Sequence, residues 1–255
     1  MITTKLPNQS SIMTVLTRSV IKASKGLLRD FAELENLQVS VKSNKTFVTS
    51  ADLHANKVLQ AELSRARPAY SIISEESEKV VGEDPSYCWI IDPLDGTVNY
   101  MHGLPHWAIS VAVEKDGEIV AAVTYDPIAN EMFWAEKGCG AYVNDQKIRV
   151  SGRRGLNDAL VSFGNLPSVK YPKVAATFST VRRMGSMTLD MAYLAAGRID
   201  VLYATEDSNI WDIAAGALLI KEAGGMLADE KGNSVDNYRG VRIMSNINLM
   251  SLAKL

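Results

Sequence analysis

The chain has 255 residues, 47% hydrophobic and 22% charged, a balance ordinary for a globular enzyme and ample for a large core. Its formal net charge is -2 and its pI about 6.0, with no run of Lys or Arg long enough for a nucleic-acid or membrane footprint, so neither partner is expected. Cys88 and Cys139 follow no metal spacing and read as reduced packing residues; residues 7–11 are polar where a signal peptide would be apolar, and a soluble cytoplasmic protein is expected.

Between residues 10 and 34 the apolar positions Ile12, Val15, Leu16, Val20, Ile21, Leu27, Leu28 and Phe31 mostly recur three, four or seven apart. This predicts a long amphipathic helix capped by Ser10 or Ser11. Residues 39–49 mix β-formers with Ser43, Asn44 and Lys45 and predict short strands around a turn, or a mobile loop. Thr49 and Ser50 then cap a second helix to about Arg67, with a core face of Leu53, Val58, Leu59 and Leu63, ended by Pro68. Residues 70–73 read as a strand leading into Ser74-Glu75-Glu76-Ser77, followed by a polar loop to Tyr87.

The stretch Trp89-Ile90-Ile91-Asp92-Pro93-Leu94-Asp95-Gly96-Thr97-Val98-Asn99 is a buried-strand pattern that stops at an Asp-Pro. After it, residues 108–114, 119–125 and 131–135 are β-rich and separated by turn chemistry, an antiparallel meander that residues 138–150 extend by a further hairpin. A seam is placed at residues 151–157. Residues 159–163 read as strand, 174–183 as helix, 200–203 as strand, and Met184-Gly185-Ser186 leads into a helix ending at Gly197. Trp211-Asp212 opens a helix, Ile213 to Ala223, stopped by Gly224-Gly225. Meander followed by strand-helix units predicts a layered α/β (α+β) fold over residues 1–255 as a single domain, with sub-halves 1–150 and 151–255.

Asp92 and Asp95 would be ordinary turn aspartates if their surroundings were polar. The preceding Trp89-Ile90-Ile91 implies burial instead, and two close carboxylates repel unless protons or cations lie between them. A divalent metal does this, and the Leu94 carbonyl adds a hard oxygen. Gly96 allows close backbone approach, and Thr97 supplies a hydroxyl that orients a water or simply caps a helix.

Together with Ser74-Glu75-Glu76-Ser77, Trp211-Asp212-Ile213-Ala214-Ala215-Gly216 and Glu222-Ala223-Gly224-Gly225, this stretch resembles the inositol monophosphatase family over nearly the whole chain. The resemblance implies a layered αβαβα sandwich of the inositol monophosphatase / fructose-1,6-bisphosphatase type. It also implies two to three Mg2+ ions. Glu75 would bind the first ion and help activate water, Asp92 would bridge, Leu94 would give its carbonyl to the first, and Asp95 and Asp212 would hold the second. Asp52 matches the family aspartate that hydrogen-bonds the threonine, here Thr97, and Lys42 lies where the family carries a lysine near a third metal. Asp95, Gly96, Thr97 and Asp212 would also contact substrate.

On the alcohol side, Gly185 and Ser186 correspond to the turn that contacts ring hydroxyls, with Met187 narrowing or greasing the pocket. Thr205 stands where many members carry a glutamate, and Glu206 is the nearest acid. The implied activity is Mg2+-dependent hydrolysis of a small phosphorylated polyol or sugar, myo-inositol monophosphate first, in a lithium-sensitive homodimer. Histidinol phosphate, fructose 1,6-bisphosphate and adenosine 3',5'-bisphosphate are the alternative substrates, and a transcription-associated regulatory protein on the same fold is the alternative role. His102, His106, Trp107 and Trp134 read as structural.

Overall fold

The computed structural model describes residues 10–36, 41–164, 172, 175–205, 208–235 and 238–253, with the side chains of 34–36 and 41–49 outside the description. The first layer is a pair of helices, α1 (Ser11–Asn36) and α2 (Val41–Ala66). Met13, Leu16, Val20, Ala23, Leu27 and Phe31 form the buried stripe of α1, and the Ser10 hydroxyl caps it by accepting from the Met13 amide at 3.2 Å. The second helix begins at Val41, so residues 41–49 are helical rather than the strands or loop expected. No Pro or Gly interrupts them, and β-branched residues lower helix propensity only slightly. The face of α2 also differs from the expectation. Leu53 is 38% exposed, while Asp52 and Asn56 turn inward beside Leu59 and Leu63.

Eight strands among the described residues form the large sheet, in the order β2-β1-β3-β4-β5-β6-β7-β8. They are β1 (Tyr70–Ser74), β2 (Ser77–Val80), β3 (Asp84–Asp95), β4 (Ala108–Lys115), β5 (Glu118–Asp126), β6 (Glu131–Glu136), β7 (Gly140–Val143) and β8 (Gln146–Ile148). The meander and its extra hairpin form as predicted. The polar segment after Glu76 forms β2, which pairs antiparallel with β1 through a turn at Glu75-Glu76.

Because side chains alternate along a strand, the register sorts this sheet into two faces. The row Ile91, Val111, Val123, Trp134 packs on α1 and α2; the row Ile90, Ala112, Ala122, Ala135 faces the opposite layer. Those alanines leave room for two buried helices, α4 (Met187–Ala195) and α5 (Ile210–Glu222). The two helices meet where Gly216 lies against Met191; a Cβ added at Gly216 would stand 2.4 Å from the Met191 Cβ. The short α3 (Thr97–Met101) follows β3.

Five described strands form the second sheet, ordered β10-β9-β11-β13-β12: β9 (Leu160–Phe163), β10 (Thr180–Arg182), β11 (Val201–Tyr203), β12 (Met226–Ala228) and β13 (Ile243–Ser245). Helix was expected over 174–183, yet Thr180–Arg182 is strand, drawn into parallel pairing with β9. Helix α6 (Ile247–Met250) covers the outer side with Leu249 and Met250. The layers are therefore helix, sheet, helix, sheet, helix. Cys88 is buried and Cys139 exposed, both free, so only Cys88 is a packing residue. No described helix is long and apolar enough to cross a membrane.

Candidate active site

Strand β3 does not stop at Asp92-Pro93. Asp92 pairs with Ser110 and Asp95 with Ala108, so three steps along β3 match two along β4 and the strand bulges. Pro93, which has no N–H to give a ladder, is tolerated at such an irregularity. The bulge sets Asp92 and Asp95 together at the end of a buried strand. Asp92 is 1% exposed; its Oδ1 accepts from the Leu94 amide at 3.1 Å and its Oδ2 has no partner. Leu94 buries its side chain, and its carbonyl accepts from the Thr97 hydroxyl at 3.0 Å.

Gly96 has φ +92°, and a Cβ there would stand 2.9 Å from the His106 carbonyl oxygen, so the turn into α3 admits only glycine without displacement. Asn99 then ties the loop to the second half of the chain, its Nδ2 donating to the carbonyls of His106 and Met184, each at 2.8 Å. Gly185, φ +86°, fits against that amide, with an added Cβ 3.0 Å from Asn99 Nδ2.

Three further elements deliver four carboxylates to the bulge. Asp52 projects inward from α2 with Oδ1 buried and unpartnered. Glu75 sits at the β1–β2 turn, held by its amide to the Ile91 carbonyl at 3.2 Å. Glu76 lies beside it and near Asp52. Asp212 stands in the first turn of α5, where its Oδ2 accepts from the Asn209 amide at 2.9 Å in a capping box.

These groups push one another toward the neutral form. Loss of water around Asp52, then the charges of Glu76 and Glu75, raise its carboxyl to about 8. Desolvation, then Asp212, Glu76 and Asp95, raise Glu75 to about 7. Burial, opposed by the Asn209 amide, raises Asp212 to about 6. Burial first, then Asp95, Glu75, Asp212 and Asp52, holds Asp92 well above the ordinary carboxylate range. Asp95 differs in its partners: its Oδ2 accepts from Ser186 Oγ at 2.5 Å and from the amide and hydroxyl of Thr188, both at 2.7 Å.

A set of hard oxygens with unpartnered buried atoms and mutual repulsion fits a divalent cation of the magnesium type. Among the described residues, no three Asp, Glu, His or Cys side chains stand close enough together, as placed, to hold one ion in common. The stability of the cation-free protein is accordingly expected to depend on pH in one direction. Carboxyls raised in the folded state leave full stability below their unfolded values of 3.8 and 4.5, and stability is lost as pH rises through about 6, 7 and 8. Thermal unfolding in EDTA should show a falling melting temperature across that window, and Mg2+ should flatten it.

Other expected positions fall differently. No hydrogen bond joins Asp52 to Thr97 among the described residues, since Thr97 donates to Leu94 instead. Met187 is buried, its Cε filling the space beside Gly164, where an added Cβ would lie 2.1 Å from it; it packs the core rather than greasing a pocket. Thr205 is 4% exposed with an unpartnered hydroxyl. Glu206 and the side chain of Lys42 lie outside the described residues. His106 places Nε2 3.8 Å from the buried Asp190, a structural contact. The roles of Asn99 and Thr188 carry no local signal: both read as ordinary helix-start residues, and their partners are 85 and 93 positions away.

A family model described as the inositol monophosphatase family matches residues 8–254. The chain is 45% identical over 247 residues to the inositol-1-monophosphatase of Rhizobium meliloti, covering 93% of this chain and 92% of that protein. It is 38% identical over 233 residues to the Nus factor SuhB of Xylella fastidiosa, covering 88% and 84% respectively. Among solved structures, the extragenic suppressor protein suhB from Bartonella henselae aligns with a TM-score of 0.86 at 40% identity, over 96% of this chain and 98% of that one.

Proposed function

Because the chain belongs to the inositol monophosphatase family, we propose that it is a Mg2+-dependent phosphate monoester hydrolase whose first substrate is myo-inositol monophosphate. The observation that carries this reading is the gathering of Asp52, Glu75, Asp92, Asp95 and Asp212 from separate elements around one β-bulge, with a buried carboxylate oxygen left without a partner.

Glu75, Asp92, the Leu94 carbonyl, Asp95 and Asp212 are the groups that would hold two to three Mg2+ ions. Bound magnesium supplies positive charge to the phosphate and the departing alkoxide and acidifies a water at neutral pH. The Glu75 carboxylate is suited to take the proton from that water. The water oxygen forms the new P–O bond, the ester P–O bond breaks with its electron pair going to the alcohol oxygen, and that alkoxide takes up a proton from solvent water, while Glu75 returns the proton it accepted to solvent. Thr97, anchored on the Leu94 carbonyl, orients the water, and Asp52 supports the site through Glu75 and Glu76. Gly96 and Thr97 would receive the phosphate and Gly185 and Ser186 the alcohol, with Glu206 assigned to the alcohol by the family resemblance alone. The whole chain acts as one catalytic unit, since Asp95 from the first half is bonded to Ser186 and Thr188 from the second. A lithium-sensitive, cytoplasmic homodimer completes the reading.

The test is phosphate release, with Mg2+ present, from inositol monophosphate, histidinol phosphate, fructose 1,6-bisphosphate and adenosine 3',5'-bisphosphate. Highest kcat/KM on inositol monophosphate, inhibited by lithium, is expected. A uniformly inactive panel overturns the enzyme reading, and preference for another ester moves the substrate. The similarity to a protein named Nus factor SuhB favours a second reading, a transcription-associated partner role. Its test is co-purification with RNA polymerase, which active enzyme does not preclude.

A further inference from the structure

Helix α4 begins with an unusual division of its first amides. The first amides of a helix have no partner within it. Ser186, the N-cap, accepts from Leu189 at 3.4 Å in the ordinary way, but the Thr188 amide is satisfied by Asp95, a carboxylate 93 residues earlier in the chain. The same Asp95 oxygen, Oδ2, also accepts from the hydroxyls of Ser186 and Thr188. A carboxylate oxygen offers about two lone-pair directions, so three short donors leave Oδ2 nothing further to give. Oδ1 makes no hydrogen bond among the described residues.

The donors are themselves rigid. Thr188 is 0% and Ser186 1% exposed, and Met187 between them is packed against Gly164. Gly185, just before, abuts Asn99 from the loop that follows Asp95. The start of α4 therefore cannot slide without moving both the Asp95 carboxylate and the turn that carries Gly185.

We propose that Thr188 is a positioning residue: its amide and hydroxyl hold Asp95 by one oxygen, present the other to the carboxylate cluster, and couple that cluster to the start of α4 on the alcohol side of the site. The part of this that concerns a cation rests on the function proposed above; the contact itself does not.

The experiment has two arms. In EDTA, melting temperatures are measured for wild type, Thr188→Val, Asp95→Ala and the double variant. Thr188→Val should lower the melting temperature clearly when Asp95 is present and far less when it is absent; additive losses overturn the contact. In the second arm, Mg2+ alone is titrated calorimetrically into wild type, Thr188→Val and Thr188→Ser. Thr188→Val should bind Mg2+ about 10-fold more weakly, and Thr188→Ser, which keeps the hydroxyl, should return to within about twofold of wild type. Turnover of Thr188→Val should recover as Mg2+ is raised, which a general packing defect would not produce. Wild-type Mg2+ affinity in Thr188→Val overturns the positioning role. A wild-type chain that binds no Mg2+ overturns the cation reading and the positioning of Asp95 toward a cation, while non-additive melting temperatures in EDTA then leave the Thr188–Asp95 contact standing.

Discussion

Asp92→Asn is expected to raise the melting temperature of the cation-free protein while removing turnover. Asn is nearly the same shape and can keep the acceptor that Oδ1 offers to the Leu94 amide. What it deletes is a charge that is 1% exposed, has one oxygen unpartnered, and lies among Asp95, Glu75, Asp212 and Asp52. Removing an uncompensated buried charge should stabilise the fold by about 1–3 kcal/mol near pH 8. For a chain of this size that is a rise of roughly 2–4 °C per kcal/mol. The gain should shrink as pH falls, because burial and the neighbouring carboxylates favour the neutral carboxyl in the folded state. Turnover should fall by about a thousandfold or more, because a neutral amide cannot replace the carboxylate that would hold the proposed Mg2+. Unfolding in EDTA at both pH values and phosphate release with Mg2+ give both readings. A lower melting temperature in EDTA, or a wild-type rate, would falsify the account of Asp92 as a charge held for catalysis at the expense of stability.

Trp107→Ala should be among the most destabilising single substitutions, at about 3–5 kcal/mol. Trp107 is 0% exposed, with its ring 5.5 Å from Phe31 of α1 and 5.0 Å from Tyr100 of α3. Tyr100 in turn donates to the Leu27 carbonyl at 2.7 Å, so the aromatic cluster joins the first helix to the loop behind the carboxylates. The His106 carbonyl next to Trp107 accepts from Asn99 and bounds the space around Gly96. Truncation thus opens a cavity under the site and loosens it. Trp107→Phe should cost far less, since the indole Nε1 has no hydrogen-bond partner to lose. Urea denaturation measures both. A loss below about 1.5 kcal/mol for the alanine variant would mean that the wedge is not what supports the motif.

Local pattern was enough wherever one physical rule dominated. The stripe of α1, the meander, Gly197 as a left-handed cap at φ +71° and helix α5 stopped at Gly224 all follow from periodicity and turn chemistry. Reading failed where a neighbour decided the outcome. Thr180–Arg182 is strand because β9 lies alongside it, and the segment after Glu76 is strand because β1 does. Leu53 points outward because α2 turns Asp52 toward the site, which spacing of apolar residues cannot reveal.

The same division runs through the site. Asp92, Asp95 and Gly96 were legible because carboxylates and a glycine at the end of an apolar strand are chemically odd in one dimension, whereas Glu75 and Asp212 read singly as a loop charge and a helix cap and were assigned by the family resemblance. The amino-acid order by itself thus determined the donor types, their hard-oxygen chemistry and the family. Only the tertiary structure decided which carboxylates lose their water and repel, that Asp95 is held through Oδ2 by Ser186 and Thr188, and that Met187 fills the core beside Gly164. The reason is that desolvation, mutual repulsion and hydrogen bonding depend on distance in space, and the groups concerned come from chain positions up to 93 apart.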